Sequence, residues 1–222
     1  VKVFDCEAVL FDLDGTVVDT APDLLRAVNL LRWRRGLAAM PMAGLRGQVS
    51  QGSRAMLAAA IPQFELRPPE TQAALVQELL GAYGEDICRD SRPFDGMLDV
   101  LDTLAARRML LGIVTNKPVE LARQLLRALG LEARFQVLIG GDSVAERKPH
   151  PLPVLTACTR LGVGPVRAVF VGDDARDVEA GRRAGCATVA VTWGYSAPES
   201  VAAWEAHARI DVPAQLLDLV RS

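Results

Sequence analysis

No segment of the 222 residues approaches the ~20 consecutive apolar residues that cross a bilayer, which argues against a membrane-spanning helix. Charge of one sign is not in excess either. The 25 Lys and Arg against 27 Asp and Glu leave a formal net charge of −2, without the basic surplus that binding a nucleic-acid backbone requires. Nucleic acid is therefore not an expected partner. Cysteine is sparse: Cys6, Cys88, Cys158 and Cys186 stand far apart, which fits buried reduced thiols better than a disulfide frame or a zinc site. The two histidines, His150 in a proline-rich turn and His207 in what reads as a polar C-terminal helix, have no metal-ligand spacing. Residues 1–10 include Asp5 and Glu7 and lack a basic leader followed by an apolar run, so a secretory signal is not expected and a cytoplasmic location is. Internal repeats and low-complexity tracts are also missing.

Half of the residues are hydrophobic, enough to bury a substantial core. Short apolar runs at 8–13, 110–115, 135–139, 168–171 and 188–191 read as strands buried on both faces, the pattern of a parallel sheet. Helical patterns lie between them. Met97, Val100, Leu101 and Leu104 share one face, as do Leu121, Leu125, Leu126 and Leu129, the latter closed by Gly130. The interval 19–92 breaks the alternation, with three or four helical patterns and no strand. One helix opens at Thr20 and Pro22 and presents Leu24, Leu25, Val28 and Leu31; another starts near Glu70 and presents Leu75, Leu79, Leu80 and Ile87. The expected fold is therefore α/β: a Rossmann-like, doubly wound parallel sheet from residues 1–18 and 93–222, with an all-helical domain inserted at 19–92. A C-terminal helix at 213–220, with Leu216, Leu217 and Val220 on one face, completes it.

The chemistry-bearing residues gather at strand ends, which border the ligand crevice of open α/β sheets. The first strand ends in Asp12-Leu13-Asp14-Gly15-Thr16, bringing two carboxylates to the crevice together. The second closes with Thr115-Asn116-Lys117, a hydroxyl and an amide where phosphoryl oxygens could be held. Lys148 sits in the proline-stiffened Arg147-Lys148-Pro149-His150-Pro151 loop. The fourth runs into Gly172-Asp173-Asp174-Ala175-Arg176-Asp177, three carboxylates in five residues, more than capping the next helix requires. Such a set supplies carboxylates for a hard divalent cation, a cation and a hydroxyl for phosphate oxygens, and a carboxylate for attack. A phosphate dianion among so many aspartates needs a metal to offset the repulsion.

Asp12-Leu13-Asp14-Gly15-Thr16, Thr115, Lys148 and Gly172-Asp173-Asp174 with Asp177 resemble, in order, the four motifs of the haloacid dehalogenase (HAD) superfamily, and the helical insertion is similar to the cap of its phosphoglycolate phosphatase subgroup. The resemblance implies a magnesium-dependent phosphatase. Asp12 is then the nucleophile, Asp14, kept protonated by its neighbours, the general acid and later base, and Thr115, Asn116 and Lys148 the phosphate binders. Mg2+ would be held by Asp12, the backbone carbonyl of Asp14 and Asp173, with Asp174 or Asp177 touching the ion or supporting a ligand.

Arg46-Gly47-Gln48-Val49-Ser50, Gly52-Ser53-Arg54, Ser91-Arg92-Pro93-Phe94 and Trp193-Gly194-Tyr195 are similar to bacterial N-acetylmuramic acid 6-phosphate phosphatases of peptidoglycan recycling. Related chains are also named phosphoglycolate phosphatases. Both substrates carry a carboxylate, so Arg46 or Arg54, with Ser53 nearby, is expected to meet it. Trp193 and Tyr195 are expected to pack a loop on the core. A phosphosugar mutase shares the core chemistry, and a phospho-accepting signalling domain or a non-catalytic sugar-phosphate binder are rivals of other classes. The expected partner is a small phosphate ester; oligomeric state is left open.

Overall fold

The computed structural model of the chain describes residues 3–221. Its first elements are β1 (Phe4–Asp5), β2 (Ala8–Phe11) and β3 (Val18–Asp19), followed by helices α1 (Ala21–Trp33), α2 (Ser53–Ala60) and α3 (Pro69–Glu85). The chain returns through β4 (Arg92–Pro93) to α4 (Met97–Ala106), β5 (Leu110–Val114), α5 (Val119–Ala128), β6 (Val137–Ile139) and α6 (Leu152–Leu161). It closes with β7 (Ala168–Gly172), α7 (Ala175–Ala184), β8 (Ala187–Val191), α8 (Pro198–Ala202), β9 (Ala208–Ile210), α9 (Leu216–Leu219) and β10 (Val220–Arg221).

Six of these strands form one sheet in the order β6-β5-β2-β7-β8-β9, every neighbouring pair parallel. Side chains alternate across it because the strand period is two. Val9, Phe11, Ile113 and Val171 pack with Met97, Leu101 and Leu125 on one face. Leu10, Phe170 and Ile139 pack with Val154, Ala157 and Ala180 on the other. Burying a side chain such as Phe11 or Leu10 completely is worth about 1.5–3 kcal/mol, so each unbroken apolar run stabilises both layers at once. The chain moves outward from β2 through β5 to β6, then crosses back to β7 and continues to β9. That reversal lies beside β2, and it puts a crevice at the carboxyl ends of β2, β5 and β7. The doubly wound sheet expected from the sequence is the one observed.

β3 and β4 pair antiparallel, Val18 with Pro93 and Asp19 with Arg92, and make a two-stranded stem. Between them the chain forms α1, α2, α3 and short 3-10 turns. Leu75, Leu79 and Tyr83 recur every fourth residue and form the buried stripe of α3, while Ile87 is buried beyond the end of the helix.

Two C-terminal expectations need correction. His207 precedes the edge strand β9 rather than lying in a helix, and its Nδ1 is 3.1 Å from Thr188 N. An edge strand of three residues, half of it facing solvent, has too little apolar pattern to be read. Residues 213–220 are not one helix: a 3-10 turn (Pro213–Gln215) leads into the single turn of α9, and Val220 pairs with Phe4.

The insertion is tied to its own return segment by a buried carboxylate. Asp23, in the first turn of α1, accepts from Ser91 Oγ at 2.6 Å, Ser91 N at 2.9 Å and Asp90 N at 3.0 Å, and pairs with Arg26. Burial raises its pKa, but Ser91 and Arg26 outweigh burial and hold it below the ordinary aspartate value. Asp23→Asn is expected to lower the unfolding free energy at neutral pH by about 2–3 kcal/mol in urea titrations. A depressed folded pKa stabilises above the unfolded value near ~4, and that stabilisation is lost as pH falls through the folded value. The two proteins should therefore converge in acid; a gap independent of pH would contradict this role.

Candidate active site

The ladder of β2 continues one residue past the strand, with Asp12 N donating to Val171 O at 2.9 Å, and so delivers Asp12 to the crevice. Gly15 then turns the chain at φ +90°, where a Cβ would lie 2.3 Å from Asp173 Oδ2. Only glycine permits that approach. A Cβ on Gly194, from the opposite side, would lie 2.3 Å from Asp173 Cβ. Asp173 is thus clasped between two glycine backbones and fully buried. Thr16 Oγ1 donates to its Oδ1 at 2.9 Å, and Tyr195 N donates to its Oδ2 at 3.0 Å.

Asp174 and Asp177 share the start of α7. Asp174 Oδ1 accepts from Arg176 N at 2.9 Å and Asp174 N donates to Asp177 Oδ2 at 3.1 Å, a reciprocal capping box. Capping therefore uses two of the three carboxylates that looked surplus to it, and Asp173 alone stands outside. The two capping residues then part: Asp174 Oδ1 pairs with Arg176 Nε at 2.7 Å, whereas Asp177 Oδ1 pairs with Lys148 Nζ at 2.7 Å. Lys148 Nζ also lies 2.8 Å from Asp12 Oδ1, although that buried oxygen takes no aligned hydrogen bond. Carboxylate oxygens of Asp12, Asp173 and Asp177 all lie within 4.8 Å of one another.

Thr115 is buried at the end of β5, its Oγ1 accepting from Lys117 N at 3.2 Å. Asn116 uses both ends of its amide on the backbone of Lys148, Nδ2 to the carbonyl and Oδ1 from the N–H, each at 3.0 Å, and so fixes the loop that presents the lysine. Asp14 Oδ1 accepts from Thr20 Oγ1 at 2.6 Å and from Lys117 Nζ at 2.8 Å. Both neighbours donate to the same oxygen, Oδ1. Lys117 in turn donates to Tyr83 Oη of α3 at 3.1 Å.

The insertion reaches Asp173 through the loop before α2. Ser50 Oγ donates to Asp173 Oδ2 at 3.2 Å, and Arg176 donates to the Ser50 carbonyl. Arg46 pairs with Asp19 Oδ2 at 3.2 Å and lies over the Tyr195 ring, at the stem. Arg54 turns inward instead, to Gln72 and the face of Phe64, and Ser53 beside it opens α2. Tyr195 does more than pack a loop: its hydroxyl donates to Asp19 Oδ1 at 2.9 Å and accepts from Thr20 N at 2.7 Å.

Crowding of like charge dominates the electrostatics. Burial, then the neighbouring Asp12, pushes Asp173 up to about 7; burial likewise raises Asp177 despite Lys148. Burial acts the same way on Asp174, but Arg176 outweighs it and holds that carboxyl below its ordinary value. Burial alone would depress the Lys148 ammonium, yet Asp12 and Asp177 hold it above the ordinary lysine range.

The family described as haloacid dehalogenase-like hydrolase matches residues 9–191, a span that includes every strand-end aspartate described above. The chain belongs to that family. A phosphoglycolate phosphatase of Xanthomonas campestris pv. campestris (strain 8004) is 47% identical over 210 residues, covering 94% of each chain. An N-acetylmuramic acid 6-phosphate phosphatase of Pseudomonas aeruginosa PAO1 is 43% identical, covering 96% of this chain and 94% of the relative. The crystal structure of a predicted phosphoglycolate phosphatase from Haemophilus somnus 129PT superposes with a TM-score of 0.87 at 29% identity, over 96% of this chain and 97% of that one. The enzyme is thus a hydrolase whose relatives are named as phosphatases.

Within this HAD-like hydrolase, sequence reasoning overlooked Lys117, Thr20, Tyr83 and Arg176 as neighbours of the aspartates. Lys117 left a signal as the third member of the Thr-Asn-Lys string and Arg176 as a member of the string that carries Asp173, Asp174 and Asp177; Thr20 and Tyr83 act through pairings made by the fold. A carboxyl with a raised folded pKa costs stability as pH climbs from the unfolded value toward the folded one. Between about pH 4 and pH 8, in the presence of a chelator, Asp173→Asn is expected to gain on wild type by an amount on the order of 2 kcal/mol. Chemical unfolding at the two pH values measures it, and a difference that does not change with pH would contradict the crowding.

Proposed function

We propose that the chain is a magnesium-dependent phosphomonoesterase that transfers the phosphoryl group of a small acidic ester to Asp12 and then to water. The observation that carries this reading is the environment of Asp12: a buried carboxylate, 2.8 Å from the Lys148 ammonium, with an oxygen that takes no aligned hydrogen bond. Such an oxygen is left for phosphorus or for a cation.

The donor set suits magnesium, a hard cation that takes oxygen ligands. Among the described residues, Asp12, Asp173, Asp174 and Asp177 pair only with Lys148 and Arg176 as cations. Asp12, Asp173 and the Asp14 carbonyl would hold the ion; the clustering of Asp177 with Asp12 and Asp173 favours it over Asp174 as the further carboxylate. When bound, magnesium supplies the positive charge that lets a phosphate dianion approach these aspartates.

Asp12 attacks phosphorus while Lys148 and Thr115 hold the phosphoryl oxygens. Asp14 gives its proton to the leaving oxygen and later takes one from water. Its Oδ1 is anchored by Thr20 and Lys117, which leaves Oδ2 for that proton. Two modest barriers replace the very high one of direct hydrolysis. The segment 19–92 acts as a cap on the core of 1–18 and 93–222, a division supported by the β3–β4 stem at its base. The free thiols of the described cysteines support a cytoplasmic site of action.

N-acetylmuramic acid 6-phosphate is the proposed substrate and 2-phosphoglycolate the second reading; relatives of both names are more than 40% identical. The test is kcat/KM for phosphate release from a panel containing both esters, with and without Mg2+. Steady release over many turnovers, abolished by chelation and by Asp12→Asn in a protein that stays folded, is the expected result. A single phosphorylation without turnover would instead indicate a signalling domain, and phosphate retained on an isomerised product a mutase.

Of the two cap arginines, Arg46 stands at the stem beside Tyr195 and is proposed to meet the substrate carboxylate, with Arg54 and Ser53 bracing the cap. Arg46→Ala is expected to raise KM for the acidic ester by about 10-fold or more, with little effect on a neutral phosphate ester. Equal effects on both esters would remove Arg46 from recognition.

A further inference from the structure

Lys117 is a buried cation that the proposed reaction uses only to anchor Asp14. Its side chain is 6% exposed, its ammonium lies 2.8 Å from Asp14 Oδ1 and 3.1 Å from Tyr83 Oη, and it sits 4.3 Å from the centroid of the Tyr83 ring. An ammonium has three donors, and these contacts use two. The carboxylate comes from the turn after β2, the lysine from the turn after β5 and the tyrosine from α3. The lysine therefore stands where the core meets the insertion.

The two buried lysines of the crevice divide its carboxylates between them. Lys148 pairs with Asp12 and Asp177, on the side where phosphorus is attacked. Lys117 pairs with Asp14, on the side where a leaving oxygen takes up its proton. Whatever Asp14 protonates lies within hydrogen-bond reach of that carboxyl, hence roughly 5–6 Å or less from a positive charge adjacent to it. At such a separation, and beside an ammonium that is almost wholly buried, the charge favours a negative group on the leaving fragment. A carboxylate one or two bonds from the ester oxygen can reach the third donor directly. Arg46, paired with Asp19 at the stem, suits a carboxylate farther from the ester oxygen, and Arg54 is engaged by Gln72.

We propose that Lys117, held against the insertion by Tyr83, is the specificity-determining residue that reads a negative charge on the leaving group. This rests on the phosphatase reading and deepens it: Lys117 reads a carboxylate close to the ester oxygen, as in 2-phosphoglycolate, whereas the more distant carboxylate of N-acetylmuramic acid 6-phosphate is left to Arg46.

The experiment compares matched esters on the full-length wild type, Lys117→Met, Lys117→Arg and Tyr83→Phe, each with saturating Mg2+ and each checked for wild-type thermal unfolding. The pair is 2-phosphoglycolate and 2-hydroxyethyl phosphate, which differ in the carboxylate; p-nitrophenyl phosphate, whose leaving group needs no proton, is the reference. Lys117→Met is expected to lower kcat/KM about 100-fold for phosphoglycolate and about 5-fold or less for the hydroxyethyl ester, with most of the difference in KM. Lys117→Arg should recover part of the preference. Tyr83→Phe, which removes one hydroxyl and keeps the ring, should show the same pattern at about 5-fold and keeps the question answerable if Lys117→Met does not fold. Equal losses on the two alkyl esters, with the aryl ester spared, would mean that the lysine serves Asp14 only and would overturn the proposal. Equal losses on all three would overturn it as well. A wild type that acts on N-acetylmuramic acid 6-phosphate but does not favour phosphoglycolate over the hydroxyethyl ester would overturn this proposal alone; a wild type that turns over none of the four esters would overturn the phosphatase reading itself.

Discussion

The constraint on which this molecule turns is the mutual repulsion of carboxylates packed at the carboxyl edge of one parallel sheet. Asp12 and Asp173 arrive from adjacent strands, β2 and β7, and are brought together by two glycine backbones that leave no room for a side chain. A fold does not hold such groups together for stability, because each buried charge is costly unless compensated. Lys148 supplies part of the compensation from a loop that Asn116 holds in place through its backbone. On the proposed reading, the remaining excess of negative charge would make a divalent cation and a phosphate dianion mutually dependent guests.

The same residues that shape the cluster also connect it to the insertion. Tyr195 contacts Asp173 through its backbone N–H and the stem through its hydroxyl, while Ser50 reaches Asp173 from the loop before α2. Thr20, the residue before α1, donates to Asp14. Movement of the insertion relative to the sheet therefore has to break or remake contacts to the aspartates themselves. Asp23 acts differently, since its bonds to Ser91 and Asp90 lie between α1 and the return segment and hold the base of the insertion closed.

The central sheet was legible because a strand covered on both faces needs an unbroken apolar run, and few other structures place five such runs at this spacing. The strand-end aspartates and Lys148 were legible because short local strings carry them. β9 was not, since an edge strand of three residues needs no hydrophobic pattern. Lys117 and Tyr83 illustrate the other limit: they are 34 positions apart and meet only after α3 docks over the β5 turn. The reach of Arg46 and Arg54 was equally invisible, because a shared loop says nothing about which arginine faces the stem and which turns toward Gln72. For the capping box, the string Asp173-Asp174-Ala175-Arg176-Asp177 was readable, but the division of labour within it required the geometry of α7.

Calorimetric titration of Mg2+ into the metal-free protein near pH 7, repeated in buffers of different ionisation enthalpy, tests the charge-crowding account most directly. One ion per chain should bind, with release of protons as the carboxyl of Asp173 ionises, and Asp173→Asn should bind far more weakly and release fewer protons. Absence of binding, or binding that is indifferent to Asp173 and to buffer, would contradict it.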